Sequence, residues 1–217
     1  MTVYYLPSCR FKAAHPETSR ALQSWLRDKG VKVCGCCRVS QDLFQAGDLV
    51  LNNCSSCAAI TDEASPQADE ISLYEYLLQD TAFPWHDYHG ERITVQDCYR
   101  TIHKPHVQHA IRECLKRMNM VPVEIEENFD RTLFDGPFRY RPLAKSNLEL
   151  APRFYGKIRD EYIEIIPKEE QIQRMKEWAE QYQTGRVAVY CNSCLEGVLM
   201  GGADGVHILD LMAENIL

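Results

Sequence analysis

The sequence predicts an α/β protein built from two related halves, each with a mostly parallel sheet and with cysteines at the C-terminal strand edge. Three observations predict it. Short apolar, β-like runs alternate with stretches of helical periodicity along most of the chain. Nine of the ten cysteines lie in groups or directly after such runs, where strands would deliver them to one sheet edge. The chain also repeats itself once, in the same order. TVYYLPSC (2–9) is echoed by RITVQDC (92–98), and DLVLNNCSSC (48–57) by RVAVYCNSC (186–194). ISLYEYLLQD (71–80) is echoed by HILDLMAENIL (207–217).

Taken in order, residues 2–6 read as a strand and 18–29 as a helix, with Leu22, Trp25 and Leu26 on one face and Gly30 as its stop. Residues 31–33 are a short buried strand, 48–51 another, and Cys54-Ser-Ser-Cys57 opens a helix. Residues 71–80 form an amphipathic segment. In the second half, 92–96 is a strand, and 106–119 a helix with Val107, Ile111, Cys114 and Met118 on one stripe. Residues 121–125 are a strand, 167–182 a helix, 187–190 a strand, and 207–217 a second amphipathic segment. The halves run 1–88 and 89–217, joined near residues 84–90. The Arg-, Pro- and aromatic-rich stretch 126–166 reads as an insertion or partner-facing excursion.

The chain has 217 residues, 45% of them hydrophobic and 25% charged, which is enough apolar material for a sizeable core and excludes disordered and low-complexity classes. No apolar run approaches the roughly 18–20 residues that span a bilayer, and Pro7, Arg10 and Lys12 interrupt any signal-like start. A cytoplasmic protein without membrane insertion is expected. A net charge of −7 argues against nucleic acid as the partner.

Ten thiols in a chain without visible export point to metal or redox chemistry rather than a disulfide scaffold. Parallel strands and helix N-termini converge on one edge, where amide dipoles favour thiolates. Two chemistries fit the first half. Cys34, Cys37, Cys54 and Cys57 have zinc-ribbon spacing, which gives a closed structural site but leaves Cys9 and Cys36 without a role. Cys9, Cys36, Cys37, Cys54 and Cys57 form the competing set. Its adjacent pair cannot easily chelate one tetrahedral ion, yet can reach two irons of a cluster. Cys114, within a helical stripe, is a core thiol.

A cysteine after the first strand, an adjacent Cys36-Cys37 pair and Cys54-x-x-Cys57 opening a helix resemble the CCG, or cysteine-rich, domain. That domain occurs twice in the cysteine-rich subunit of heterodisulfide reductase and in related iron–sulfur proteins, and the resemblance runs across nearly the whole chain. It implies that Cys9, Cys36, Cys37, Cys54 and Cys57 hold a noncubane [4Fe-4S] cluster, with Cys9, Cys36 and Cys37 nearest the chemistry. It also implies an oxidoreductase subunit that reduces a small disulfide or related thiol substrate. Electrons would come from an iron–sulfur or flavin partner subunit, with Arg10 and Arg38 as cations for an anionic substrate. The family's Gly after Cys-Cys is Arg38 here, and the gaps of 26 residues from Cys9 to Cys36 and 16 from Cys37 to Cys54 are short.

In the second half, Phe134-Asp135-Gly136 stands where the family has Cys-Cys-Gly, leaving Cys98, Cys191 and Cys194. Three thiols do not make the same centre. This half is empty, binds zinc with Asp135 or His207 as fourth ligand, or forms a lid. The alternative for the whole chain is a non-catalytic scaffold or assembly subunit of a redox complex, carrying zinc or iron–sulfur. His103, His106 and His109 read as surface or capping residues, because Pro105 interrupts a helix through them. The Gly201–Gly205 stretch matches no phosphate-binding motif. Tyr4, Tyr5, Phe11 and Trp25 read as core.

Overall fold

The computed structural model describes all 217 residues, in two compact units. One comprises residues 1–83, 143–162 and 216–217; the other comprises 84–142 and 163–215.

The first unit begins with β1 (Val3–Leu6), α1 (Cys9–Ala14), α2 (Pro16–Asp28) and β2 (Lys32–Val33). It continues with β3 (Leu49–Asn52), α3 (Ser55–Ala64), β4 (Asp69–Ser72) and α4 (Leu73–Gln79). The sheet order is β2-β1-β3-β4, every pairing parallel. Pro16 starts α2 with its φ already helical, and Leu22 and Leu26 carry its buried stripe. Gly30 ends it at φ +80°, a left-handed turn in which Val31 N–H donates back to Leu26 O at 3.0 Å. Tyr5, Leu6, Val50 and Leu51 fill the sheet centre, against Phe11, Ile60, Leu73 and Leu77.

The second unit repeats the pattern. β5 (Arg92–Val95) leads to α5 (Pro105–Arg117) and β6 (Val121–Val123). The chain next contributes α6 (Lys145–Leu150) and α7 (Pro152–Glu161) to the first unit. Then α8 (Lys168–Ala179), β7 (Arg186–Val189), α9 (Asn192–Met200), β8 (Asp204–His207) and α10 (Ile208–Met212) complete the second. Its sheet order is β6-β5-β7-β8, again all parallel. Both sheets thus have their first strand second in order and their third strand beside it. The segments 48–57 and 186–194 are the third strand and the helix start after it in their respective units.

Two expectations change. Residues 71–80 and 207–217, read as single amphipathic segments, each divide into the end of a strand and a short helix. Ser72 and His207 end β4 and β8 and cap α4 and α10. The Ser72 hydroxyl accepts from Glu75 N, while the Glu75 carboxylate accepts from Ser72 N, a capping box. Residues 126–166 are not one insertion either, since 143–162 are the two helices of the first unit. There Glu63 accepts from Arg153 N (3.0 Å) and Phe154 N (2.7 Å), capping α7, and Ala151, Tyr155 and Ile158 are buried. As expected, no helix runs through all three histidines: Pro105 opens α5, with His103 before the helix and His106 and His109 within it. No helix is long and apolar enough to cross a membrane.

Candidate functional site

All grouped cysteines come after strands. In the second unit Cys98 follows β5, Cys191 is the N-cap of α9 directly after β7, and Cys194 lies in the first turn of α9. Asp135 comes from the loop after β6 and completes the set. Its backbone is pinned to α9: Ser193 Oγ donates to Asp135 O at 2.7 Å, and Phe138 N donates to Ser193 Oγ at 3.0 Å. Gly136 permits this approach. It stands at φ +51°, and a Cβ there would lie 1.9 Å from Ser193 O.

The four donor atoms of Cys98, Asp135, Cys191 and Cys194 lie within 4.8 Å of one another, and all four residues are buried. Asp135 Oδ1 faces the three sulfurs at 3.5 Å (Cys98), 3.7 Å (Cys191) and 4.0 Å (Cys194). Around a tetrahedral zinc ion with Zn–S of roughly 2.3 Å and Zn–O of roughly 2.0 Å, the sulfur–oxygen edge is about 3.5 Å. The set can therefore hold a metal ion. His207, the other fourth-ligand candidate, is outside it, and its Nδ1 accepts from Leu209 N at 3.3 Å.

Arg100 stands against this group. Its Nε donates to Asp135 Oδ2 at 2.6 Å, and its Nη2 donates to Asp135 Oδ1 at 2.9 Å and to Cys191 Sγ at 2.9 Å. The guanidinium lies 4.3 Å from the Phe138 ring centre. Contacts from the Cys194 and Cys98 thiols, with Arg100, hold Cys191 well below the usual thiol range. Burial pushes Cys98 and Cys194 well above it. Burial also raises Asp135 to about 7, against the pull of Arg100. A second layer fixes the loop of Cys98. Tyr190 Oη accepts from Cys98 N (3.2 Å) and donates to Asp97 Oδ1 (2.8 Å), and Arg112 grips both Asp97 oxygens at 2.6 and 2.8 Å.

In the first unit Cys36, Cys37, Cys54 and Cys57 form a run of contacting thiols, with Cys9 nearby. Cys37 contacts Cys57 and Cys36, Cys57 also contacts Cys54, and Cys36 is within electrostatic reach of Cys9. The Cys57 thiol stabilises a Cys37 thiolate, lowering Cys37 while its own value rises well above the usual range. Exposure is graded: Cys9 is exposed, Cys36 and Cys54 half-buried, Cys37 and Cys57 buried. Cys34 stands aside, its Sγ against Lys32 O at 4.0 Å, with burial alone raising it. Arg38 lies close enough to favour the thiolates of both Cys36 and Cys37, although burial leaves Cys36 raised overall. Its Nη2 donates to Asn147 Oδ1 at 2.8 Å. Some buried polar side chains of this unit are unpartnered. Tyr5 Oη, beside Cys57, has no hydrogen-bond partner, and neither does the carboxamide of Asn53, which precedes Cys54.

Cys114 is fully buried within α5, and His109 packs its ring against Phe129 at 5.7 Å. Sequence reading missed Arg100, Tyr190 and Asp97. All three lie within two residues of Cys98 or Cys191, which was the only signal the sequence offered. No family model, curated protein or solved structure matches this chain.

Proposed function

We propose that this protein is an iron–sulfur redox subunit of the cysteine-rich-domain type, which reduces a small disulfide or related substrate with electrons from a partner protein. The observation that carries the reading is the run of contacting thiols Cys36, Cys37, Cys54 and Cys57, with Cys9 near Cys36 and Cys34 left out. Its graded exposure suits a centre anchored in the core and open at one edge. The residues suit a noncubane [4Fe-4S] cluster: five soft thiolate donors, with the O–H of Tyr5 beside Cys57 as an unused donor of the kind that sulfide accepts. Such a cluster, when bound, supplies one-electron chemistry and a site for sulfur ligation. The chain's own part is to hold it at the sheet edge. Arg38 adds positive charge there for an anionic substrate and for the thiolates. A disulfide takes two electrons and two protons to give two thiols, and an iron–sulfur centre passes one electron at a time, so an iron–sulfur or flavin donor subunit must deliver twice per turnover.

A second reading, a metal-bearing scaffold of a redox complex, is favoured by the closed donor set of the second unit. Four donors of mixed sulfur and oxygen type, all buried, suit a structural divalent ion such as zinc.

Metal and acid-labile sulfide analysis of anaerobically purified protein tests both readings. The first expects a brown protein with about four irons and about four sulfides per chain. Colourless protein carrying zinc and no sulfide would sink the first reading and leave the second.

A further inference from the structure

We infer that Arg100 is a positioning residue that makes the Cys98–Asp135–Cys191–Cys194 set a four-coordinate site for a single divalent metal. The inference rests on the reading that this set holds a metal.

Three thiolates and a carboxylate around a divalent ion carry a net charge of −2 in a buried place, which is costly without a cation to offset it. Arg100 is itself buried and touches two of the four donors directly. Charge alone would not need a guanidinium, but the geometry does. A free carboxylate can chelate a metal through both oxygens. Here Arg100 Nε takes Asp135 Oδ2 at 2.6 Å, and Nη2 takes one side of Oδ1 at 2.9 Å. Only the remaining side of Oδ1 faces the sulfurs, at 3.5–4.0 Å. The planar fork thus presents one oxygen and withholds the other. The same Nη2 donates to Cys191 Sγ at 2.9 Å, drawing charge from one thiolate. Phe138 beneath the guanidinium, 4.3 Å from its centre, supports the fork from one face.

The test is anaerobic cobalt(II) titration of the full-length apoprotein. A Cys194→Ser control shows which thiolate-to-cobalt bands belong to this site. The parent protein is expected to bind cobalt here with the intense visible bands of four-coordination. Arg100→Gln frees both Asp135 oxygens; the bands should weaken to five-coordinate intensity, and affinity should fall by about 10–100-fold. Arg100→Lys keeps the charge and loses the fork, so affinity should recover in part while the weakened bands persist. A folded Arg100→Lys protein with parental band intensity overturns the inference, as does a five-coordinate spectrum in the parent. That holds even where Arg100→Gln does not fold. If the parent shows no cobalt bands sensitive to Cys194→Ser, the metal reading of this set fails first.

Discussion

At the scale of single residues, the cysteines divide by their contacts. Cys9 and Cys36 lie at the open end of the first unit's thiol set, whereas Cys34 packs by itself against Lys32 O. Hydroxyl oxygen is a poor ligand for a soft iron–sulfide core. Cys9→Ser and Cys36→Ser should therefore each abolish iron incorporation, measured as iron per chain, while Cys34→Ser keeps most of it. Loss of metal in Cys34→Ser with retention in Cys9→Ser would turn the assignment toward a zinc ribbon. The thiols were legible because their spacing after strands is a pattern that survives without coordinates. Asp135 was legible as one of two candidate fourth ligands, from its place before Gly136 where the resemblance expected a cysteine. Arg100 was not, because arginine is usually a surface residue, and nothing in Cys-Tyr-Arg tells that this one is buried against a carboxylate.

At the scale of elements, Gly136 and α9 set the geometry of the second unit's donor set. Gly136 lies against the first turn of α9 so closely that a Cβ would meet the Ser193 carbonyl carbon at 2.8 Å as well as its oxygen. These are backbone atoms and cannot swing away. Gly136→Ala should cost about 2–4 kcal/mol, combining the left-handed φ with the clash, and should lower the melting temperature measured by calorimetry. It should also move Asp135 away from the thiols and reduce metal retention by the second unit. Gly202, at φ +85° with open space around it, is the comparison: Gly202→Ala should cost only about 1–2 kcal/mol. The long helices and central strands were readable from periodicity. The strands β4 and β8 were not, because each has only its last residue buried and so shows no alternation.

At the scale of the whole molecule, the duplication was legible in the order of its echoes, and the two sheets have the same strand order. What could not be read was that α6 and α7 belong to the first unit, because membership is set by Glu63, Asn147 and Tyr155 making contacts far away in sequence. A chain of residues 1–88 alone lacks these helices, leaving α3 uncovered where α6 and α7 pack. It should unfold at a lower temperature than the first unit within the full chain, and grafting residues 143–162 behind a flexible linker should recover much of the difference. Equal melting of the short chain and the intact unit, followed by circular dichroism, would show that the two helices contribute nothing.

That interleaving has a consequence during synthesis. All six thiols of the first unit have been made once Cys57 emerges from the ribosome, but the helices that finish their unit are not translated until residue 161. At roughly 5–20 residues per second, the nascent thiols wait several seconds beside an incomplete fold. Cys191 and Cys194 come later still, near the end of the chain. The second unit's donor set is thus complete only near the end of translation, and the first unit's thiols spend that interval open to oxidation beside an unfinished fold.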